Sequence, residues 1–573
     1  MSKHNRPENQ VLETDVCIVG SGAGAGPVAF TLSQAGHDVL VLEKGPWLTE
    51  KEFYKDELAC CRRAVYTPEL KDERHVIEDY DGKDRNGQYK WKAESTEESG
   101  SDFWNGNCVG GSSNFMSGFF YRLKPKDFRL KSEFGEIKGA NVADWPITYE
   151  ELEPYYAKAE HLIGISGKVK KHPNQEPRST KDFPYPPTQE HYISRKIDKA
   201  CDDLHYHSLQ TPRAVLSQPA MNRRSCEYSG FCGSYGCSSG AKGSSRAALL
   251  DHAVKTGRCR IRANSKVFKL ESNAKGNVVA AMFYDENNQI IKVKAKIFVV
   301  ACHAIETSRL LLSSSGSRHP NGLGNNYSQL GKNLLFSAGG SGTGEFFYDQ
   351  FDEEEARQLK QRGPFVNRGL QDWYYINDKK LGGRSKGGTI DFLLRHPNAI
   401  SRANNLKWGD DGKLVWGQPL KHRLHTTFTS TQDLRFEVFN DWLPTDDCFV
   451  SLDSTVKDKW GSAVAKVRVG YHDHDLKIGR YLAEKAELVL KHMGAKNIRS
   501  NVSGSPPPNL VAGGCRFGDD IKTSVLDKDC RVHDVDNLYI TDGSFMPTGG
   551  SVPYTWTIYA NSFRVADIIK QYL

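Results

Sequence analysis

The sequence predicts an α/β nucleotide-binding domain, discontinuous in the chain, that is interrupted by an inserted α+β domain. Residues Asp15–Glu43 read as a strand, a glycine-rich turn, a helix and a second strand, which is an opening βαβ unit. The stretch Asn537–Leu573 returns to a strand, a glycine-rich loop and a helix. Residues 340–505 between them alternate apolar and charged side chains, as expected of an antiparallel sheet with one solvated face.

Interior segments fill in this outline. An apolar strand at Lys296–Ala301 runs into a helical pattern at Ala304–Leu312, and both are assigned to the nucleotide domain. Within the inserted domain we predict strands at Leu381–Leu394 and Lys421–Phe439. Apolar residues at helical spacing predict a helix over Tyr481–Met493.

The composition is that of a folded chain without a membrane-spanning helix. The 573 residues carry 77 Lys and Arg against 70 Asp and Glu, and 38% are hydrophobic, which suffices for a large core. No apolar stretch reaches the roughly 18 residues that a spanning helix requires. No basic run predicts nucleic-acid binding. The 13 cysteines are an odd number and the polar N-terminus has no signal core, so we expect a cytoplasmic protein. Export together with a signal-bearing partner would leave the same sequence.

The strongest motif follows the first predicted strand. Gly20 permits a tight turn, Gly22 allows the backbone to approach a pyrophosphate, and Ala25 stands where a small residue permits helix–strand contact. Glu43 closes the second strand, 21 residues after Gly22, where a carboxylate can accept hydrogen bonds from ribose hydroxyls. This arrangement predicts a dinucleotide site and leaves open whether the ligand is a nicotinamide or a flavin.

Further segments resemble the glucose–methanol–choline (GMC) oxidoreductase family, and most closely the large subunits of bacterial sugar and gluconate-type dehydrogenases. The segments that carry the resemblance are Asn107–Asn114 with Gly118 and Arg122, Trp145–Tyr156, Ala263–Val267, Gly513–Gly518, Thr523–Asp527 and His533–Ser544. The resemblance implies a Rossmann-like domain that binds FAD. The cofactor-binding residues that it adds to the fingerprint are Gly110, Gly111, Ser112, Asn114, Val267, Asp542 and Gly543.

The same resemblance implies a division of the chain into five segments. The expected FAD-binding domain comprises residues 12–140, 216–335 and 509–573, with a substrate or cap segment at 141–215 and a substrate domain at 336–508.

Three cysteines form a candidate metal site. Cys226, Cys232 and Cys237 stand in a C-x5-C-x4-C run within a loop rich in glycine and serine. Closely spaced thiolates are the ligands of iron–sulfur clusters, and some sugar dehydrogenases of the family carry a three-iron cluster on a similar stretch. The spacing here is looser, and the C-x-x-C pair of most cluster and zinc sites is missing. We favour three ordinary loop cysteines, with an iron–sulfur cluster as the alternative.

The usual catalytic positions of the family carry residues that cannot accept a proton. Family members place a His five residues before the position of Cys515 and a His or Asn in the last glycine-rich loop, whereas this sequence has Leu510 and Pro553 there. Alcohol oxidation requires an acceptor for the hydroxyl proton. We therefore predict that the neighbouring Asn509 and Tyr554 position the substrate hydroxyl.

Other histidines offer alternatives. His472 or His474 could approach the site from the inserted domain, although a solvated loop is the favoured interpretation of both. His303 follows a predicted strand and is interpreted as a structural residue at the start of a helix.

These observations lead to one principal hypothesis about function. The chain is predicted to be an FAD-dependent dehydrogenase or oxidase that oxidises a CH–OH group, of a sugar or glycoside, by hydride transfer to flavin N5. The expected partners are a small alcohol or sugar and an accessory or electron-accepting subunit. The alternatives are a redox-neutral flavoprotein of lyase type and an FAD-binding electron-transfer subunit.

Overall fold

The computed structural model describes residues 11–53, 57, 75–83, 88–99, 103, 105–409, 411–504 and 510–573. The strands, numbered in chain order, are β1 (Val11–Val19), β2 (Val39–Leu42), β3 (Val76–Lys83), β4 (Tyr89–Ser95), β5 (Ser208–Gln210), β6 (Cys259–Arg262), β7 (Lys266–Ser272), β8 (Val278–Tyr284), β9 (Ile290–Val300), β10 (Leu334–Phe347), β11 (Val366–Leu370), β12 (Tyr375–Asp378), β13 (Gly383–Lys386), β14 (Gly388–Leu394), β15 (Thr431–Asp441), β16 (Phe449–Lys457), β17 (Ala463–Arg468), β18 (Lys496–Asn501), β19 (Val511–Gly513) and β20 (Leu538–Ile540).

The α-helices lie between these strands. Their bounds are Gly26–Gln34, Thr96–Ser99, Leu130–Phe134, Tyr149–Ala159, Tyr192–Asp203, Asp251–Lys255, Ala304–Ser313, Glu353–Leu359, Ala399–Leu406, Gly417–His425, Asp473–His492 and Thr555–Ile569. No helix in the described ranges is both long and apolar enough to cross a membrane.

The first sheet has the order β6-β2-β1-β9-β8-β7, with β20 also pairing with β9. The pairs among β6, β2, β1, β9 and β20 are parallel, whereas β8 and β7 continue the sheet antiparallel. Because parallel strands are covered on both faces, they are continuously apolar, and Val16–Val19 and Val39–Leu42 are buried throughout. The strands come from the start, the middle and the end of the chain, which confirms the predicted discontinuous nucleotide domain.

The second sheet is antiparallel and has the order β18-β10-β15-β14-β11-β5. One face packs against the helix Asp473–His492, which buries Ile478, Leu482 and Val489 in the core of this domain. The 14-residue strand β10 joins the two halves of the protein, because its first residues pair with β19 and its later residues with β15 and β18. The predicted antiparallel sheet of the inserted domain is thereby confirmed.

Two predicted elements differ from the structure. The prediction of strand over Lys421–Phe439 is wrong in its first half, because Gly417–His425 is an α-helix, Thr426–Ser430 a π-helical turn, and β15 begins at Thr431. The basic side chains in the last turn of the helix suit its carbonyl end, a signal that competes with strand alternation. The helix predicted over Tyr481–Met493 begins earlier, at Asp473.

His472 explains the earlier helix start. It is the N-cap residue, and its Nδ1 accepts a hydrogen bond from the backbone N–H of His474 at 3.1 Å. Its Nε2 lies 3.0 Å from the carbonyl oxygen of Lys138. The pair of histidines therefore belongs to a helix cap, in place of the solvated loop predicted from the sequence.

A buried ion network joins Arg122 to the helix Tyr149–Ala159 and to Glu160 directly after it. The Arg122 guanidinium donates to Glu160 through Nε at 2.9 Å and to Glu153 through Nη1 at 2.7 Å. Arg178 donates to the same Glu160 carboxylate at 2.7 Å. The side chains of Arg122 and Glu160 are both fully buried. Burial raises the pKa of Glu160, and the two guanidinium groups act against that rise. The network therefore depends on every member being present.

Replacing Arg122 tests this dependence. We expect Arg122→Met to lower the free energy of unfolding by about 3–5 kcal/mol, because the buried carboxyl group of Glu160 is left with a single guanidinium partner. Arg357→Met is the matched control, since Arg357 pairs with Glu354 on the surface at 2.6 Å. Urea unfolding followed by circular dichroism should show a large shift for the first variant and none for the second. Equal shifts would mean that the buried network does not have this role.

Candidate functional site

A cavity of about 1070 Å³ is lined by loops of the first sheet and by one face of the second. Its volume is slightly above the range of roughly 300–1,000 Å³ for small-molecule sites. Among the predicted site residues, those that line it are Gly20, Gly22, Glu43, Gly111, Ser112, Val267, Asp542, Gly543 and Tyr554. Ala25, Gly110 and Asn114 lie behind this lining.

The first glycine turn has two glycines packed against other backbone and one that faces open space. Gly20 has φ +92°, and a Cβ there would lie 2.3 Å from the carbonyl oxygen of Ala301. A Cβ at Gly24 would lie 2.6 Å from the carbonyl oxygen of Thr541. A Cβ at Gly22 would meet nothing within 4 Å, so this backbone is open to a ligand in the cavity. Ala25 is buried just before the helix Gly26–Gln34, as the fingerprint requires.

The second glycine motif lies against the first. Gly110 and Gly111 have φ of +97° and +57°, and a Cβ at Gly111 would lie 3.0 Å from the Cα of Gly22. Asn114 stabilises the turn from behind by donating to the carbonyl oxygens of Val109 at 2.9 Å and Gly111 at 3.2 Å. The Ser112 hydroxyl lines the cavity and accepts a hydrogen bond from the N–H of Gly106 at 2.9 Å. The two motifs form one continuous wall of backbone.

Ser21 links the two glycine motifs to Glu43. Its hydroxyl donates to Glu43 Oε2 at 2.5 Å and accepts from the N–H of Gly110 at 2.9 Å. Glu43 Oε1 accepts from the N–H of Gly45 at 3.0 Å. Burial raises the pKa of Glu43, and these hydrogen bonds oppose that rise. Sequence reasoning missed Ser21, because it occupies a variable position of the fingerprint.

Asp542 and Gly543 follow β20 and line the cavity next to the first glycine turn, because a Cβ at Gly24 would lie 2.7 Å from the backbone nitrogen of Asp542. Asp542 Oδ1 accepts from the backbone N–H of Ser544 at 2.9 Å and from its hydroxyl at 2.6 Å, and Oδ2 accepts from the hydroxyl of Thr307. Burial raises the pKa of Asp542 despite these hydrogen bonds. The carboxylate therefore holds the loop after β20 against the helix Ala304–Ser313.

Charged residues that the sequence did not single out lie beside Val267. Lys266 and Arg309 bind the carboxylate of Asp458 at 2.6 and 2.7 Å. Burial lowers the pKa of Lys266 to about 8. All three residues line the cavity. The signal available in the sequence was Lys266, because it directly precedes the predicted cofactor-binding residue Val267. His303 also lines the cavity, at the N-cap of the helix Ala304–Ser313 with φ +83°, which confirms its position at a helix start.

Among the described residues of the predicted catalytic neighbourhood, Tyr554 carries the hydroxyl singled out from the sequence. Tyr554 is buried, and its hydroxyl donates to the carbonyl oxygen of Leu510. Burial holds the pKa of Tyr554 well above its usual value, so the phenol remains protonated. Leu510 and Pro553 both line the cavity. Asn509 lies outside the described residues, and the alternative candidates His472 and His474 are in the distant helix cap.

The structure does not gather the three loop cysteines into a ligand set. In the described ranges, the group of three or more His, Cys, Asp and Glu ligand atoms within 4.8 Å of one another consists of His172, His207 and Asp372. Cys232 Sγ instead accepts from Arg213 at 3.2 Å, and Cys237 Sγ lies 3.4 Å from the Ser239 hydroxyl. The iron–sulfur cluster on Cys226, Cys232 and Cys237 stays a hypothesis.

Comparison with known proteins identifies relatives along nearly the whole chain. Two family models described as GMC oxidoreductase match residues 92–336 and 444–562. The chain is 29% identical to a 2-methyl-1,2-propanediol dehydrogenase of Mycolicibacterium austroafricanum, over 98% of this chain and 95% of that protein. It is 28% identical to a paromamine 6'-oxidase of Streptomyces fradiae, over 97% and 91%. It is 26% identical to the fructose dehydrogenase large subunit of Gluconobacter japonicus, over 98% of each.

Solved structures share the fold at lower identity. A formate oxidase of Aspergillus oryzae, studied for modification of its FAD, superposes with a TM-score of 0.63 at 14% identity over 98% of both chains. A pyridoxine 4-oxidase of Mesorbium loti superposes with a TM-score of 0.57 at 16% identity, over 97% of this chain and 99% of that one. At such identity, the likeness shows the fold alone.

The contrast between Gly22 and Gly24 tests the assignment of the glycine turn. Gly22→Ala adds a methyl group in the open cavity, so we expect unchanged thermal stability without cofactor and a dissociation constant for FAD raised about tenfold or more. Gly24→Ala overlaps the backbone of Thr541, so we expect a loss of about 1–3 kcal/mol of stability even without cofactor. Thermal melts of FAD-free protein and FAD titrations measure the two effects. Normal FAD affinity of Gly22→Ala would contradict the assignment.

Proposed function

The chain belongs to the GMC oxidoreductase family, and from this premise we propose that it oxidises a CH–OH group of a sugar or glycoside. FAD is the cofactor, and when bound it accepts the hydride of the carbinol carbon. The observation that carries the proposal is the composition of the cavity, which combines a glycine-backbone wall with a polar face of the antiparallel sheet. Relatives named for 2-methyl-1,2-propanediol, paromamine and fructose support a hydroxyl-bearing substrate.

The residues of this chain fit FAD. The open backbone at Gly22 and the turn at Gly111 would lie against the pyrophosphate, which binds to backbone amides that no side chain covers. Glu43 would accept hydrogen bonds from a ribose, and the backbone of Val267 would face the adenine. Asp542 and Gly543 would lie along the pyrophosphate and ribityl chain. These assignments are proposals, as are the domain boundaries at residues 140, 215, 335 and 508.

We propose that Tyr554 positions the substrate together with Asn509, which directly precedes Leu510 in the sequence. Because the Tyr554 hydroxyl gives its proton to the carbonyl oxygen of Leu510, the lone pairs of its oxygen are the groups left to accept from a substrate hydroxyl. A phenol whose pKa lies well above the usual value does not act as a base near neutral pH. Tyr554 would therefore orient the hydroxyl rather than ionise it.

The family membership and the cavity predict that alcohols reduce the bound flavin. In anaerobic mixing with a panel of sugars, glycosides and simple alcohols, we expect sugars or glycosides to bleach the oxidised flavin band. Absorbance in a stopped-flow instrument measures the rate. A flavin that stays oxidised with every alcohol, yet is reduced by dithionite, would reject the proposal in favour of a redox-neutral flavoprotein or an electron-transfer subunit.

Removing one hydroxyl tests the role of Tyr554. Tyr554→Phe keeps the ring and deletes the oxygen, so we expect flavin reduction by the best substrate to slow about 3–10-fold, the worth of one neutral hydrogen bond. Tyr559→Phe is the matched control, because Tyr559 is also buried and its hydroxyl donates to the carbonyl oxygen of Gly243 at 3.4 Å, away from the cavity lining. An equal effect of both variants would assign the loss to packing.

A further inference from the structure

A row of polar side chains crosses the cavity face of the second sheet. Ser341 of β10 pairs with Glu437 of β15 on one side and with Asn501 of β18 on the other. Glu437 pairs in turn with Asp391 of β14. Residues directly opposite in antiparallel strands point to the same face, and Ser341, Glu437 and Asn501 all line the cavity. The row therefore presents hydroxyl, carboxylate and amide groups to whatever the cavity binds.

Glu437 and Arg435 are charged groups of this face that make no hydrogen bond or ion pair with the described residues, although the charge of Arg435 acts on Glu437. Neither the half-buried Glu437 carboxylate nor the Arg435 guanidinium, two residues earlier on the same face, makes a hydrogen bond or ion pair there. Arg395, which also lines the cavity, instead binds Asp433 at 2.8 Å. A carboxylate withdrawn from bulk water without a partner is unfavourable, so Glu437 and Arg435 are suited to a polar ligand.

Next to Glu437 in the row is Asp391, whose carboxyl group accepts hydrogen bonds from two hydroxyl groups. Asp391 Oδ1 accepts from Tyr121 at 2.8 Å and from Thr211 at 2.9 Å, whereas Oδ2 is buried without a partner among the described residues. Burial raises the pKa of Asp391 to about 7, and burial also raises that of Glu437 against the charge of Arg435. The charge of Glu437 adds to the rise in the pKa of Asp391, because a negative charge disfavours ionisation of a carboxyl group that faces it.

This row lies two residues along the strand from Phe439, which packs beside the Leu510–Tyr554 contact. We call that contact the proposed reacting end of the cavity. Phe439, two residues after Glu437 on the same face, lies 5.7 Å from Phe119 between ring centroids and packs with Leu510. The hydroxyl of Tyr554 binds the carbonyl oxygen of Leu510. Two residues along a strand span about 6.8 Å. A ligand that reaches both Tyr554 and Glu437 must therefore carry hydroxyl groups at separate positions.

We propose that Glu437 and Arg435 bind hydroxyl groups of the substrate remote from the reacting carbon, so that the cavity selects a polyhydroxylated substrate of sugar size over a monohydric alcohol. The Glu437 carboxylate accepts hydrogen bonds from hydroxyl groups, and the Arg435 guanidinium donates to hydroxyl oxygens. This assignment rests on the proposed function for the identity of the reacting end, and it adds the residues that set the substrate class.

Binding to protein that cannot turn over tests the proposal. The FAD-loaded full chain is reduced with dithionite under anaerobic conditions and titrated calorimetrically with methyl β-D-glucopyranoside and, separately, with 1-propanol. The variants are Glu437→Gln, Glu437→Asp, which keeps the charge, and Glu345→Gln as the matched control. Glu345 is also a carboxylate of this sheet, but it binds Asn497 at 2.7 Å away from the cavity lining. Flavin content and melting temperature report whether each variant is folded.

We expect Glu437→Gln to weaken binding of the glucoside about 10–100-fold, the worth of hydrogen bonds to a charged group, and to leave 1-propanol unaffected. The affinity of Glu437→Asp for the glucoside should lie between that of Glu437→Gln and that of the parent. Glu345→Gln should bind the glucoside as tightly as the parent does. Unchanged glucoside binding by a folded Glu437→Gln overturns the proposal, as does parent protein that binds 1-propanol as tightly as the glucoside or binds neither.

Failure of this binding assignment can be distinguished from failure of the proposed function. If the parent binds the glucoside through Glu437 and its oxidised flavin is never bleached by any alcohol, the oxidation is rejected and the binding assignment stands. If the flavin is bleached and Glu437→Gln binds and reacts like the parent, the oxidation stands and the assignment of Glu437 is rejected.

Discussion

The approach of backbone to backbone without intervening side chains is the constraint on which the rest of the structure depends. Gly20 lies against Ala301, Gly24 against Thr541, and Gly111 against Gly22, in each case closer than a Cβ would permit without a shift. These contacts join the start, the middle and the end of the chain at one point. The discontinuous domain closes only because glycine stands at each crossing, and the same lack of side chains leaves backbone amides open to a pyrophosphate.

The long strand β10 connects the glycine-lined region to the sheet that carries the polar row. Its first residues pair with β19, directly after Leu510, and its later residues carry Ser341 into the polar row. Because one strand enters both arrangements, the distance between the Leu510–Tyr554 contact and Glu437 is set by strand geometry rather than by a mobile loop. The spacing between that contact and Glu437 is therefore built into the sheet.

Local signals in the sequence predicted local structure well. The βαβ unit with Gly20, Gly22 and Glu43 is confirmed as structure because turn, helix and strand lie within one contiguous segment. The helix at Gly417–His425 and the cap at His472 were mispredicted, because strand-like alternation and a His pair carry competing meanings. The row of Ser341, Glu437 and Asp391 was out of reach, since only the register of three distant strands brings those residues together.

Leu510 and Pro553 carry no ionisable group at the places where the family resemblance implies a base. The contacts proposed for Glu437 and Arg435, away from the reacting carbon, therefore become more important. If the described side chain that meets the substrate hydroxyl is the protonated phenol of Tyr554, as we propose, the rate would depend on how firmly that hydroxyl is held in a productive orientation. Binding energy from parts of the substrate that do not react can serve that purpose, because it offsets the entropy lost in orientation. Glu437 and Arg435 are placed to supply such energy, and a substrate without remote hydroxyls would forgo it. On the proposed assignment, Leu510 and Pro553 take the places of the family's usual base, and the reaction would then depend more on the size and hydroxyl pattern of the substrate.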